Sequence, residues 1–218
     1  MAKKKAKIKI LVTAGPTWVR LDKVRVLTSI FSGATGALTA RVFKDKGYRV
    51  SLLLGPTRFP FEARGITVLR FKYFEDLQQL LKEQLKDKAY RVVIHSAAVS
   101  DYKPYKVQAA KIPSSKKSLL VRLKPAPKLI KQIRKTREDV FLIQFKLEVN
   151  KTRKALINAA FRSLVENKSD IVVANDLKDF KGLRSKAYVI DADKNVGLVK
   201  NRRALVNKLL QIVDSRFC

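Results

Sequence analysis

Short apolar runs alternate with stretches of helical periodicity along most of the chain. Residues 8–13 (IKILVT) form a β-rich apolar run that stops at Gly15-Pro16 and reads as a buried strand. Ser32-Gly33 opens a helix reaching about Lys46, with Leu38, Val42 and neighbouring alanines as its apolar face, and Gly47 ends it. Residues 50–54 and 66–71 read as strands, the first stopped by Gly55-Pro56. Leu77, Leu80, Leu81 and Leu85 recur at helical spacing, so 74–85 is an amphipathic helix, and 92–95 is a fourth strand. The rhythm then breaks over 97–117, where Pro104, Pro113 and several lysines replace any long apolar run, as in a functional loop or flap. Beyond it, 119–123 reads as a strand, and Pro127 opens a short helix to about Lys135. Residues 140–145 are a strand. Residues 152–166 are a helix with Leu156, Ala160 and Leu164 on one stripe, and 171–174 are a strand ending in Asn175-Asp176. Residues 187–191 and 196–199 form a hairpin around Asp193-Lys194-Asn195, and 204–213 close the chain as a helix. This order predicts an α/β fold on a parallel sheet, in one domain over 1–218.

Length and composition agree with one domain: 218 residues, 46% of them hydrophobic, suffice for a buried core and exclude a disordered polycation. No apolar run reaches the ~18 residues that a membrane-spanning helix requires, so no membrane partner is expected. The opening MAKKKAKIKI lacks the small-residue cleavage site of a secretory leader, and a cytoplasmic protein is expected. Cys218 is the only cysteine and His95 the only histidine, which argues against a disulfide framework, a zinc site or a His-dependent triad.

Charge alters the picture more. The formal net charge is +30, from 48 Lys and Arg against 18 Asp and Glu. Such a chain can bind nucleic acid, steer polyanionic substrates, or simply carry a basic surface. The basic residues are spread along the chain, and only Lys3, Lys4, Lys5 and Lys7 form a dense cluster. Charge alone therefore favours the surface reading, and function has to come from motifs.

Ligands of open α/β sheets bind at the carboxyl ends of strands. The first strand ends in TAGPT (13–17), and the first helix begins SGATG (32–36). Glycines three apart at a helix start admit a phosphate to backbone N–H groups, but they equally serve to pack a helix on a sheet. The spacing is not a dinucleotide G-x-G-x-x-G, no acid follows the second strand, and no P-loop occurs. Ser100, Tyr102 and Lys106 imitate a reductase set, but Pro104 opposes the helix that chemistry requires. In HSAAVSDYKP (95–104), small residues allow close ligand approach. Asp101 could hold a hydroxyl, an amine or a metal-bound water, or merely cap a turn. Lys111 is either a cation closing over phosphate or carboxylate, or one more solvated lysine.

Together these motifs resemble the phosphopantothenate–cysteine ligase (phosphopantothenoylcysteine synthetase) family, also known as the DNA/pantothenate metabolism flavoprotein. The resemblance runs from Ile8 to about Val213, through TAGPT, DKVR (22–25), SGATG, AAVSDYKP, KIPSS (111–115), Pro127-Lys-Leu-Ile130, FKLE (145–148) and VVAND (172–176), in order and with matching spacing. It implies a Rossmann-like, mostly parallel sheet with helices on both faces, a flap at about 99–118, a small β-hairpin extension, and a homodimer. It implies that 4′-phosphopantothenate is joined to cysteine through an acyl-nucleotidylate, with ATP or CTP and Mg²⁺, and it implies no flavin, because the chain begins at the ligase's first strand. Gly15, Ser32, Gly33 and Gly36 would then cradle nucleotide phosphates. Phe145 and Asn175 would contact base or ribose, and Ala97, Ala98 and Arg25 would bind substrate. Lys111, Asp101 and Ser29 would serve catalysis. The sequence departs from the family at Ser29, where an Asn is usual, and at Phe31, where Ser is common. The paired lysines of CTP-using members fall on Ser163 and Asn167, which favours ATP. A homologue that binds without ligating is the second reading. A nucleic-acid module, motivated by charge alone, is the third, and otherwise nucleic-acid affinity is incidental.

Overall fold

The computed structural model describes residues 5–115, 117–181 and 184–218. Lys3 and Lys4 of the basic cluster, and Lys116 of the expected flap, lie outside the described residues. Eight strands form one sheet among the described residues. Six are parallel: β1 (Lys9–Ala14), β4 (Arg49–Leu54), β5 (Thr67–Arg70), β6 (Tyr90–His95), β9 (Phe141–Glu148) and β10 (Ile171–Lys181). They lie in the spatial order β5-β4-β1-β6-β9-β10, and β11 (Arg184–Asp191) and β12 (Val196–Val199) extend the sheet antiparallel beyond β10. Renumbered among the parallel strands alone, the order is 3-2-1-4-5-6. The chain reverses direction of travel between β1 and β6, which makes that crevice the expected ligand position.

Alternate residues of each buried strand face opposite helix layers. Ile10 and Val12 of β1 pack with Ala40, Val42 and Phe43 of α1 (Ala34–Asp45) and with Leu205, Leu209 and Val213 of α5 (Arg202–Phe217). Leu11, between them, packs with Leu77 and Leu81 of α2 (Phe74–Gln84) and Leu129 and Ile133 of α3 (Leu129–Thr136). On that same face α4 (Arg153–Asn167) covers Val172, Ala174, Tyr188 and Ile190 with its Leu156–Ala160–Leu164 stripe. Each fully buried leucine of this kind contributes about 2 kcal/mol through removal from water. The expected Rossmann-like, mostly parallel fold with helices on both faces is the observed one.

The differences lie where polar chain pairs. Two-residue strands β2 (Val19–Arg20) and β3 (Val26–Leu27), with no apolar run to announce them, form a small ribbon. The expected strand at 119–123 is displaced: β8 is Leu123–Pro125 and pairs antiparallel with β7 (Tyr102–Pro104). Leu119 and Leu120 are instead exposed. Prolines 104 and 125 supply no N–H, which keeps that ladder short. β10 runs well past the expected 174 because its polar end pairs with β11 across a register irregularity.

Candidate functional site

The ends of β1 and β6 continue toward each other as a backbone zipper. Ser96 N–H donates to Thr13 O (3.2 Å), Ala98 N–H to Gly15 O (3.0 Å), and Thr17 N–H to Ala98 O (3.2 Å). Beneath them the Thr13 hydroxyl accepts from Ala97 N–H (3.1 Å) and lies 3.0 Å from His95 Nδ1. Burial pushes the His95 imidazole down to about 4, so it is neutral and structural. The SGATG turn packs directly on this zipper. Gly33 has φ +78°, and a Cβ there would stand 2.5 Å from the Gly15 backbone nitrogen. Gly36 is buried, and its Cβ would meet Ala14 Cβ at 2.6 Å. Gly36 is thus explained by packing, and it is not among the residues lining the cleft. Helices α4 and α5 begin with side-chain caps, Thr152 on Ala155 N–H and Asn201 on Ala204 N–H. Helix α1 has Gly33 instead, with no side-chain cap.

A cleft of about 400 Å³ opens at this point. Gly15, Ser32, Gly33, Ala97, Ala98, Phe145 and Asn175, all expected site residues, line it together. Asn175 is buried, and its amide donates to Lys186 O (3.3 Å). One wall is apolar, with Ile30, Phe31, Leu177, Phe180 and Leu205. Phe31 meets Phe180 edge-to-face at 5.9 Å between centroids, so the departure at Phe31 is absorbed by an aromatic pair. The cleft contains two cations, Lys146 and Arg202, and no carboxylate among the described residues. Lys146 pairs with Glu148 at 3.3 Å, while Arg202 Nε donates to Thr35 Oγ1 at 3.1 Å. Thr35 and Lys146 stand inside motifs legible in the sequence without being named as site residues, and Ser185 and Arg202 stand in none. Arg202 could have been noticed as a basic residue opening the last helix.

Five expected residues lie elsewhere. Arg25, Asp101, Lys111 and Ser29 do not line the cleft, nor does Gly36. Arg25 Nη1 is bound to Asp22 (2.7 Å) and to the Ile112 carbonyl (3.0 Å). Asp22 is fully buried and also accepts from the backbone N–H groups of Ile112, Arg25 and Val24. The Ile112 N–H, above all, holds this carboxyl far below the usual carboxylate range. DKVR is thus a clasp that fixes the segment next to Lys111, which is itself exposed. Asp101 is exposed at the base of the polar arm formed by β7, β8 and the chain around Lys111, and it pairs with Lys128 at 2.5 Å. Ser29 Oγ is buried without a hydrogen-bond partner among the described residues. Asn167 donates to Gln144 (3.0 Å) and Ser163 (3.2 Å), so this pair serves α4 packing and does not reach the cleft.

No group of three or more His, Cys, Asp or Glu that could hold a metal occurs among the described residues, and no described helix is long and apolar enough to cross a membrane. What the cleft offers is the positive charge of Arg202 without an acidic partner, backbone donors, hydroxyls and an aromatic wall. Fold and cleft together define a Rossmann-like α/β domain suited to an anionic ligand with a flat or apolar part. The family model of the DNA/pantothenate metabolism flavoprotein C-terminal domain matches residues 5–215, and the chain belongs to that family. It is 33% identical over 186 residues to the coenzyme A biosynthesis bifunctional protein CoaBC of Thermococcus kodakarensis, covering 85% of this chain and 45% of that protein. The chain therefore spans less than half the length of this curated relative. Among solved structures, it resembles the DNA/pantothenate metabolism flavoprotein of Streptococcus pneumoniae (TM-score 0.87, 28% identity, 96% of this chain and 99% of that one). It also shares its fold with a Cab2 mutant in complex with phosphopantothenate-cysteine (TM-score 0.79, 18% identity, 99% and 89%).

Proposed function

We propose that the chain is a ligase of coenzyme A biosynthesis that joins 4′-phosphopantothenate to cysteine, using ATP or CTP. The observation that supports this most is the convergence of seven residues from separate segments on one carboxylate-free cleft at the sheet's switch point. A carboxylate oxygen of the acid attacks the nucleotide α-phosphorus and pyrophosphate leaves. The cysteine amine then attacks the acyl carbon, the nucleoside monophosphate leaves, and a proton is lost. Ser32, Gly33 and Arg202 face the phosphate charge, Phe145 and Asn175 the nucleoside, and Ala97 and Ala98 leave room for the acid. Lys111 and Asp101 act from the arm that Asp22 clasps. The cleft's hydroxyls and amide are poor protein ligands for Mg²⁺ without a carboxylate. The ion fits only as a companion of the triphosphate, and no step is assigned to it. The reaction would place the chain in the cytoplasm. As a homodimer, its arm surface at Tyr102, Tyr105, Leu120 and Leu123 would be the first place to seek the second copy, with light scattering as the test.

The assay is direct. Protein incubated with phosphopantothenate, cysteine, Mg²⁺ and either nucleotide should release pyrophosphate and form the amide. Release with neither nucleotide would end the proposal. A second reading, binding without ligation, draws on the buried, unpartnered Ser29 Oγ. Under it, wild-type turnover is absent and Ser29→Asn restores it.

A further inference from the structure

Arg202 is the first residue of α5, half-buried, and distant in sequence from every motif that built the cleft. It lines the cleft, and its guanidinium makes one hydrogen bond among the described residues, from Nε to Thr35 Oγ1 at 3.1 Å. It forms no ion pair with any described carboxylate, and no acidic residue shares the cleft with it. By contrast Arg25, Arg134 and Arg137 each hold an aspartate at 2.7 to 2.9 Å. A half-buried guanidinium without a carboxylate keeps its full charge for a ligand. With Nε engaged by Thr35, both Nη groups are left as a planar pair of donors, the fork that matches two oxygens of a phosphoryl group.

We propose that Arg202 binds a phosphoryl group of the nucleoside triphosphate, and that Thr35 is the positioning residue that fixes its orientation. The inference rests on the nucleotide reading above and deepens it. Two phosphoryl sources are chemically equivalent here, the nucleotide and the phosphate of phosphopantothenate. The nucleotide is assigned because Thr35 and Arg202 lie beside Ser32, Gly33 and Ala34 in the same cleft as Phe145 and Asn175.

The test is calorimetric titration of the full chain with ATP, CTP, 4′-phosphopantothenate and inorganic triphosphate. Arg202→Gln should weaken triphosphate binding roughly 10- to 100-fold, the range expected for charge-assisted hydrogen bonds. Phosphopantothenate affinity should change by less than about twofold, and Arg202→Lys should recover part of the loss, since the charge stays and the fork goes. Thr35→Val, which leaves Arg202 in place, should weaken triphosphate binding by roughly 3- to 10-fold, and Thr35→Ser should restore it. A Thr35 that served only structure would shift the melting temperature without this rescue in affinity. Unchanged triphosphate affinity in Arg202→Gln overturns the proposal, and so does a loss confined to phosphopantothenate. If the wild type binds inorganic triphosphate through Arg202 but neither nucleotide, the phosphoryl site stands and the nucleotide reading falls. If it binds no phosphate compound, both fall.

Discussion

Two concave basins lie at opposite ends of the sheet, and the larger is not the candidate site. The basin near the amino ends of β9 and β10 has about 630 Å³ and is lined by Lys131, Arg134, Lys135, Glu138, Glu166, Asn167, Lys168 and Asp170. Its cations and acids are mixed, and its arginine is ion-paired, with only Nε left without a partner among the described residues. Arg134 donates to the carbonyls of Glu138 (2.7 Å) and Val140 (3.0 Å) and pairs with Asp170 at 2.9 Å, while Asp170 also accepts from Leu142 N–H. The carboxyl-end cleft is smaller, at about 400 Å³, but has no carboxylate, an aromatic wall and an arginine without an ion pair. Volume does not distinguish a binding site from a structural hollow. Whether the polar groups have already found partners does.

The carboxyl-end cleft is most vulnerable at the glycine contact. Gly33→Ala puts a Cβ 2.5 Å from the Gly15 nitrogen at a positive φ, so the SGATG turn must lift off the zipper. Turnover should fall by roughly 100-fold or more, the scale of an ångström-sized misplacement, as measured by pyrophosphate release. Retained turnover would show that the turn does not shape the site. Asp22→Asn comes next. It removes the charge that accepts from Ile112 N–H and Arg25, so the arm should loosen, with turnover down roughly 10-fold or more and faster proteolysis within 106–121. Equal protease resistance in wild type and variant would contradict the clasp.

A smaller effect lies under the cleft floor. His95 is held below its unfolded value, so the unfolded chain binds the extra proton first and stability falls with pH between about 6.5 and 4. Denaturant melts should lose about 2–3 kcal/mol from pH 7 to 4.5, and His95→Gln should flatten that slope. Asp22, lowered rather than raised, contributes its stability above the ordinary carboxylate range and loses it only at more acid pH, outside most of this window. The mildest change is at the other basin. Arg134→Gln should cost about 1–3 kcal/mol of stability and leave triphosphate affinity unchanged. A fall in affinity would mean that the two basins had been assigned the wrong roles.

The parallel core was legible because buried strands and amphipathic helices write their period into the apolar residues, as Leu77 and Leu81 do. The motif at Gly15, Ser32 and Gly33 was legible because turns and close backbone contacts select residue types locally. Three features were not. The β2–β3 ribbon and the long polar end of β10 are held by pairing rather than by apolar patterning. Arg202 looks like any other basic residue in a chain of net charge +30, and only its place in the carboxyl-end cleft, away from any carboxylate, singles it out. Lys111 and Asp101 were read as site residues from the family resemblance, and both stand exposed outside the cleft lining.

Hydrogen exchange with and without a nucleoside triphosphate reports both basins in one experiment. Protection should appear at 33–36, at 96–98 and at the start of α5 around 202–205, with none at 131–138 or 166–170. Protection confined to the amino-end basin would contradict the account.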